Sequence, residues 1–400
     1  MDVGSHSVKA ILMSRSGSRL RVEQVGYANV DRNQANVDPI AAQADAVRAA
    51  LSFMPIQQSV VVGALPGQTV VIRYPRLNAD LLPGEIGAAI ETEAGQNIPY
   101  DLSEVFLDWS VLDTVREGDS QKMKVLLVAA KYEVIETRVQ VADAAGIQYA
   151  VLGVDSLALA DAAECCEFLG PDESVALVNL GASSTSIHFM KGRTSNFIRD
   201  VSWGAREMIQ AISKGRRCDL QEAEKQLMRV SRGEPEFPET APLPEPVTLE
   251  QPPAPASSLG GGSLLDPLED EIGALGEPFA APAQKSTIGV PAKEPERPVE
   301  ELLHAPLSRL VLEVRRSFDF YEQQMYERPV ERLILSGGVA HMPLLRQVLA
   351  EELGLERVEV ADPANSALAI ADGASFERFQ ERAAQFMVAV GLAARGAAQL

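Results

Sequence analysis

The sequence predicts an α/β fold of two similar lobes around one shared ligand, with a small α+β subdomain inserted in the first lobe. Three observations lead there. The turn Asp2-Val3-Gly4-Ser5-His6-Ser7-Val8-Lys9 returns in degraded form at Asn179-Leu180-Gly181-Ala182-Ser183-Ser184-Thr185. Each copy feeds a strand-forming run, Ala10–Ser14 after the first and Ser186–Met190 after the second. A third glycine turn, Ser336-Gly337-Gly338, follows the buried run Arg332–Leu335. Glycine removes the Cβ so that backbone N–H groups approach an anion, and Ser or Thr hydroxyls add donors. Gly4, Ser5 and Ser7 on one side and Gly181, Ser183, Ser184 and Thr185 on the other therefore read as a phosphate clamp. Lys9 faces either the phosphates or solvent. Gly337 and Gly338 read as nucleotide contacts. Asp2, at a strand end, would hold a hydrated Mg²⁺ beside the phosphates.

Composition bounds the function. Four hundred residues suit two lobes plus extras, and 46% apolar content supplies real cores. The formal charge is −20. That excess argues against a nucleic-acid track or direct adhesion to an anionic bilayer, both of which reward clustered Lys and Arg. The three cysteines, Cys165, Cys166 and Cys218, form no zinc spacing or disulfide framework, which fits a reducing cytoplasm. No secretory leader opens the sequence. The longest apolar run, Ala383–Ala394, is too short to span a bilayer, so another chain would bring this one to a membrane.

In chain order, residues 1–75 with 151–172 and 376–400 are expected to form the first lobe. Ala10–Ser14, Arg19–Gly26 and Ala28–Val30 read as a meander, and Asp38 caps a helix that Pro39 begins. Val60–Val62 and Val70–Ile72 read as strands. Residues 76–150 read as the insertion: a helix Glu85–Gln96, strands Glu104–Asp113 and Lys122–Ala130, and a helix Glu133–Ala145, with a sheet face or edge that could accept a peptide. Asp155 either orients water or caps the helix Ser156–Leu169. The second lobe covers 173–232 and 301–375, including a helix Leu307–Gln324 and another at Pro343–Leu353. Between the two parts, residues 233–300 hold 14 of the 25 prolines with 13 acidic and 3 basic residues, a composition expected to be disordered. His6 reads as an incidental polar residue, and Trp109 and Trp203 as packing residues.

In order and number these motifs resemble the actin-like ATPase superfamily, and within it the PilM family of type IV pilus assembly proteins, relatives of the division protein FtsA. The resemblance rests on Asp2–Lys9, Val154-Asp155-Ser156-Leu157-Ala158, Asn179–Thr185, Arg199-Asp200, Gly204, Glu313–Tyr321 and Leu335-Ser336-Gly337-Gly338. Asn97-Ile98-Pro99-Tyr100, Asp108 and Val388–Arg395 resemble PilM in particular. The resemblance implies a ribonuclease-H-like fold with ATP and Mg²⁺ in the cleft between the lobes, and Asp2, Asp155 and Asn179 as the catalytic set. It implies that Glu224, in Ala223-Glu224, touches the nucleoside. It also implies a cytoplasmic protein peripheral to the inner membrane, holding the N-terminal tail of a PilN-like membrane protein and contacting other pilus assembly and motor proteins.

Two departures weaken the acidic site. Asn179 stands where the second motif usually carries Asp, and Leu227 stands at a usual Lys position. Binding with slow or absent hydrolysis is therefore expected. Three other functions remain on this fold: an FtsA-like membrane-associated filament protein, a type II secretion L-like platform protein and a small-molecule kinase.

Overall fold

A computed structural model of the chain describes residues 1–234 and 297–399, except Ser18, Asp119, Tyr326 and Asp372. The expected disordered segment lies, but for its ends, outside the described residues. Met1–Glu236 and Arg297–Leu400 belong to one unit.

Fifteen strands (β1–β15) and eleven helices (α1–α11) are numbered along the described residues. In the first lobe β1 (Asp2–Val3), β2 (Ser7–Ser16) and β3 (Arg19–Asn29) form an antiparallel meander, and β4 (Val62–Leu65) pairs in parallel with β9 (Val151–Val154). The Met1 amino group donates to Val62 O at 2.7 Å and joins the two pieces. In the second lobe β10 (Ser174–Leu180), β11 (Thr185–Lys191) and β12 (Thr194–Val201) form the same meander. There β10 pairs in parallel with β13 (Arg332–Gly337), and β13 with β14 (Val358–Val360). The second lobe is thus one sheet in the order β12-β11-β10-β13-β14, and the first repeats its meander and its parallel pair as two neighbouring sheets. The duplicated turn sits at the same place in each.

Helices cover both sheets: α1 (Arg32–Ala35), α2 (Pro39–Leu51), α4 (Tyr132–Ala145), α5 (Asp155–Cys165), α10 (Ala374–Glu381) and α11 (Met387–Gln399) at the first lobe, and α6 (Ala205–Arg216), α7 (Leu220–Ser231), α8 (Val299–Asp319) and α9 (Pro343–Leu353) at the second. Asp38 does cap α2, accepting from Ala41 N at 2.9 Å. A continuous apolar core runs between the lobes, in which Ala158, Leu159, Ala162 and Ala163 of α5 pack with Ile11 and Val22 of lobe one, Val175, Leu177 and Met190 of lobe two, and Leu392 of α11. A Cβ on Gly391 would collide with Ala158 O, so α11 and α5 cross too closely for any larger residue there.

The insertion is a sheet of β5 (Val70–Arg73), β6 (Arg76–Asn78), β7 (Val105–Glu117) and β8 (Ser120–Lys131), covered by α3 (Pro83–Asn97). Its boundaries differ from the expected ones. It begins at Val70, because Val70–Arg73 pairs with β8 and not with lobe one. Helix α4 packs its Val141 and Ala142 against Val47 and Ala50 of α2, inside lobe one. Strand β15 (Ala369–Ile370), assigned to lobe two by its position in the chain, pairs with β3 of lobe one.

Glycine and proline punctuation misled two other boundaries. Arg19–Asn29 is one strand through Gly26, where a Cβ would collide with Ala50 O of the crossing helix. Helix α8 starts at Val299, earlier than Leu307, and carries Pro306 inside it. The Pro306 carbonyl accepts from Trp203 Nε1 at 2.8 Å, so tertiary packing holds a helix that local propensity would end.

Candidate functional site: the cleft between the lobes

The two turns have one geometry. Gly4 N donates to Ser7 O at 3.1 Å and Gly181 N to Ser184 O at 3.0 Å. A Cβ would lie 3.0 Å from Ser7 O at Gly4 and 2.6 Å from Ser184 O at Gly181, so the second turn excludes a side chain at this position and the first is tight against one. The tips meet across the cleft, where Ser5 Oγ and Ser183 Oγ are 2.8 Å apart. Gly204 supports the second turn from behind, since a Cβ there would lie 2.5 Å from the Ala182 carbonyl. Helix α6 then starts directly on that turn, with Ala205 N and Arg206 N donating to Gly181 O and Ala182 O.

The third turn stands beside the second. Gly337 pairs with Leu180 and has φ of +101°, and a Cβ on it would collide with the Leu180 carbonyl. Gly338 is different: no heavy atom lies within 4 Å of where its Cβ would be, so the space beside it is open.

The remaining site residues fall into three groups. Lys9 Nζ is 3.1 Å from Asp2 Oδ2, so it pairs with that carboxylate. Asn179 accepts from Ser336 Oγ at 3.1 Å. Thr185 is buried, and its hydroxyl donates to Trp203 O at 3.0 Å, facing the protein's own backbone. Ser7 is buried, while Ser5 is exposed at the turn's tip. Glu224 stands across the cleft from the first turn, 3.2 Å from His6 Nε2 and 2.8 Å from Arg32 Nη2. Its neighbours line a cleft of about 630 Å³.

Asp155 does not cap its helix as expected. It is the first residue of α5, and its Oδ1 accepts from Gly67 N at 2.7 Å and from the adjacent Ser156 N at 2.6 Å. Burial, then the Asp200 and Asp2 charges, push its pKa up to about 7 against those two hydrogen bonds. Asp200 is the residue that sequence reasoning passed over. Sitting on β12 opposite Ser186, it accepts from that hydroxyl, and burial raises its pKa. A Cβ on Gly67 would lie 2.5 Å from Asp200 Oδ2, so one glycine separates carboxylates from the two lobes. The signal available in the sequence was the charged pair Arg199-Asp200 near the end of a strand, within the segment that follows the second turn. His6 was also undervalued, because only the fold puts it opposite Glu224.

These residues fit a nucleotide with a divalent cation. Two glycine turns from the two lobes face one cleft, beside the carboxylates of Asp2, Asp155 and Asp200, of which Asp2 is already paired with Lys9. Among the described residues no three His, Cys, Asp or Glu side chains converge as a metal cage.

Two repeated lobes of this strand order, closing over a shared cleft, define an actin-like fold. The family model "Type IV pilus assembly protein PilM" matches residues 1–238 and 280–397. The chain belongs to that family. A solved PilM–PilN type IV pilus biogenesis complex is similar in fold, with a TM-score of 0.70 and 21% identity over 99% of this chain and 97% of that one. Two further solved structures match at lower scores. One is the ethanolamine utilization protein EutJ from Carboxydothermus hydrogenoformans, with TM-score 0.47 and 12% identity over 98% of this chain and 87% of that one. The other is MreB 5 of Spiroplasma citri bound to AMPPNP, with TM-score 0.39 and 11% identity over 92% and 78%.

Proposed function

We propose that the chain is an ATP-binding adaptor of type IV pilus assembly that holds the N-terminal tail of a PilN-like inner-membrane protein and hydrolyses ATP slowly or not at all. The observation that carries the nucleotide reading is the meeting of two like turns from two lobes at Ser5 and Ser183, 2.8 Å apart. Gly4, Ser5, Gly181, Ser183 and Ser184 would take the phosphates, Gly337 and Gly338 would flank the nucleoside, and Asp2 would hold Mg²⁺ through water. When bound, the ion neutralises charge on the phosphate oxygens. Three features favour slow chemistry. Asn179 brings no charge, Asp2 is paired with Lys9, and Asp155 is a weak anion near neutral pH. Phosphate release by the purified chain should fall well below the ~1–10³ s⁻¹ of ordinary enzymes; ordinary turnover would refute this part.

The tail-binding reading is supported by strand β7, whose outer edge pairs with no strand among the described residues. Phe106 is 54% exposed and Trp109 41%, with Tyr100, Val111 and Tyr132 exposed nearby in sequence or across the pair. Unpaired N–H and C=O groups beside apolar side chains suit an extended peptide that adds a strand. Among the described residues no helix is long and apolar enough to cross a membrane. In this reading the adaptor works at the cytoplasmic face through its partner, where motor proteins are reached, with neither nucleic acid nor the bilayer as a direct ligand. Titration of a fluorescent tail peptide from a candidate partner tests it. Trp109→Asp should weaken binding about tenfold or more without unfolding the chain, and a tail that binds both forms equally would sink the edge-strand site.

A further inference from the structure

The contacts that hold the lobes together are of two kinds, and they lie apart. Along α5 and α11 the contact is apolar and continuous, with Ala158, Leu159, Ala162 and Ala163 fully buried between the sheets. At the turns it is polar and partly exposed. Ser5 Oγ meets Ser183 Oγ at 2.8 Å, Arg206 Nη2 donates to Ser5 O at 3.2 Å, and Glu224 receives His6 Nε2 at 3.2 Å and Arg32 Nη2 at 2.8 Å. A packed apolar seam opens only at the expense of its whole buried area, whereas half-exposed polar contacts exchange readily for water. The lobes therefore have a hinge on one side and a clasp on the other.

The clasp residues stand where a ligand must pass. Ser5 and Ser183 close the space between the phosphate turns, and the Glu224 bridge crosses the cleft of about 630 Å³ whose walls include Val30, Lys225, Met228 and Arg229. Glu224 is itself only 22% exposed, held between two lobe-one cations or donors. We propose that His6 and Arg32 on Glu224, with Arg206 on Ser5, form a latch across the mouth of the cleft, so that a nucleotide enters only when the latch lets go. This rests on the nucleotide reading above and adds its regulation: a partner that pulls the first lobe's turn away from α7 would load the site.

The experiment reads the latch with and without nucleotide. In Arg32→Ala and His6→Ala, hydrogen exchange in nucleotide-free protein should speed up at both turns, residues 4–7 and 181–185. Association of a fluorescent ATP analogue with Mg²⁺ should speed up about threefold to tenfold. Unchanged exchange, or slower association, would overturn the latch. Because Arg32→Ala could disturb its own short helix, Arg206→Ala on α6 supplies an independent reading. It should speed exchange at residues 4–7 in the same way; unchanged exchange there would overturn the latch. If the wild type binds no analogue at all, the nucleotide reading fails on its own, and the exchange arm still decides whether the clasp exists.

Discussion

Gly337 and Gly338 are neighbours with opposite demands, and the contrast separates stability from binding at a single turn. Gly337 needs a positive φ and abuts the Leu180 carbonyl, so Gly337→Ala should destabilise the chain by about 2 kcal/mol or more, read as a lower melting temperature. Gly338 has open space beside it, so Gly338→Ala should leave the melting temperature within about 1 °C while lowering nucleotide affinity. Equal melting losses would show that the open space is not there. Asp155 gives a second residue-scale test. Its folded pKa of about 7 lies above the ordinary carboxylate value of 3.8, so the folded state binds more protons between those limits and stability falls as pH rises through them. Asp155→Asn should match the wild type near pH 4 and melt at least about 2 °C higher at pH 8 without a divalent cation. A wild type more stable than Asp155→Asn at pH 8 would contradict the buried like-charge cluster. The sequence alone made Gly4 and Gly181 legible, because a tight turn around an anion leaves a repeatable pattern. It hid Asp200 and the pairing of His6 with Glu224, since neither has a local signature.

At the scale of elements, the insertion meets lobe two through a buried polar seam. Tyr74 OH and His188 Nε2 both meet Ser195 Oγ, at 2.7 and 2.8 Å, and His188 Nδ1 is 2.9 Å from Ser156 O. Lys124 Nζ donates to Asn196 and lies over the Tyr74 ring, while Asn196 Nδ2 donates to Tyr321 OH at 3.0 Å. Burial pulls the Lys124 pKa from 10.5 down to about 8. Between those values the unfolded chain binds more protons, so this lysine makes stability rise with pH from about 8 to 10.5. Lys124→Met should remove that rise, and an unchanged pH profile of chemical denaturation would show that the amine is solvated. Tyr74→Phe should cost about 1–2 kcal/mol, measured in the same denaturation series, by leaving Ser195 Oγ one hydrogen bond short. Sequence pattern made α2, α3, α4 and the long strands β7 and β8 legible, but it missed α1, α10, β6, β14 and β15, which are short. It could not find the seam, nor give Val70–Arg73 to the insertion or Ala369–Ile370 to lobe one. Strand pairing is a choice between distant segments that each look alike locally.

At the scale of the molecule, the net charge of −20 disfavours polyanions and anionic bilayers as ligands. In the proposed reading the chain would enclose a small ligand between its two Gly-centred turns and offer an edge strand to a protein partner. Duplication explains why the two-lobed fold is legible in the amino-acid sequence: the same strand–turn–strand unit is written twice, at Asp2–Lys9 and Asn179–Thr185. Hydrogen exchange with and without saturating ATP and Mg²⁺ tests the shared cleft most directly. Amides of residues 4–7 and 181–185 should gain protection together on addition of the nucleotide. Protection of one turn alone, or of neither, would mean that the two lobes do not close over a single ligand.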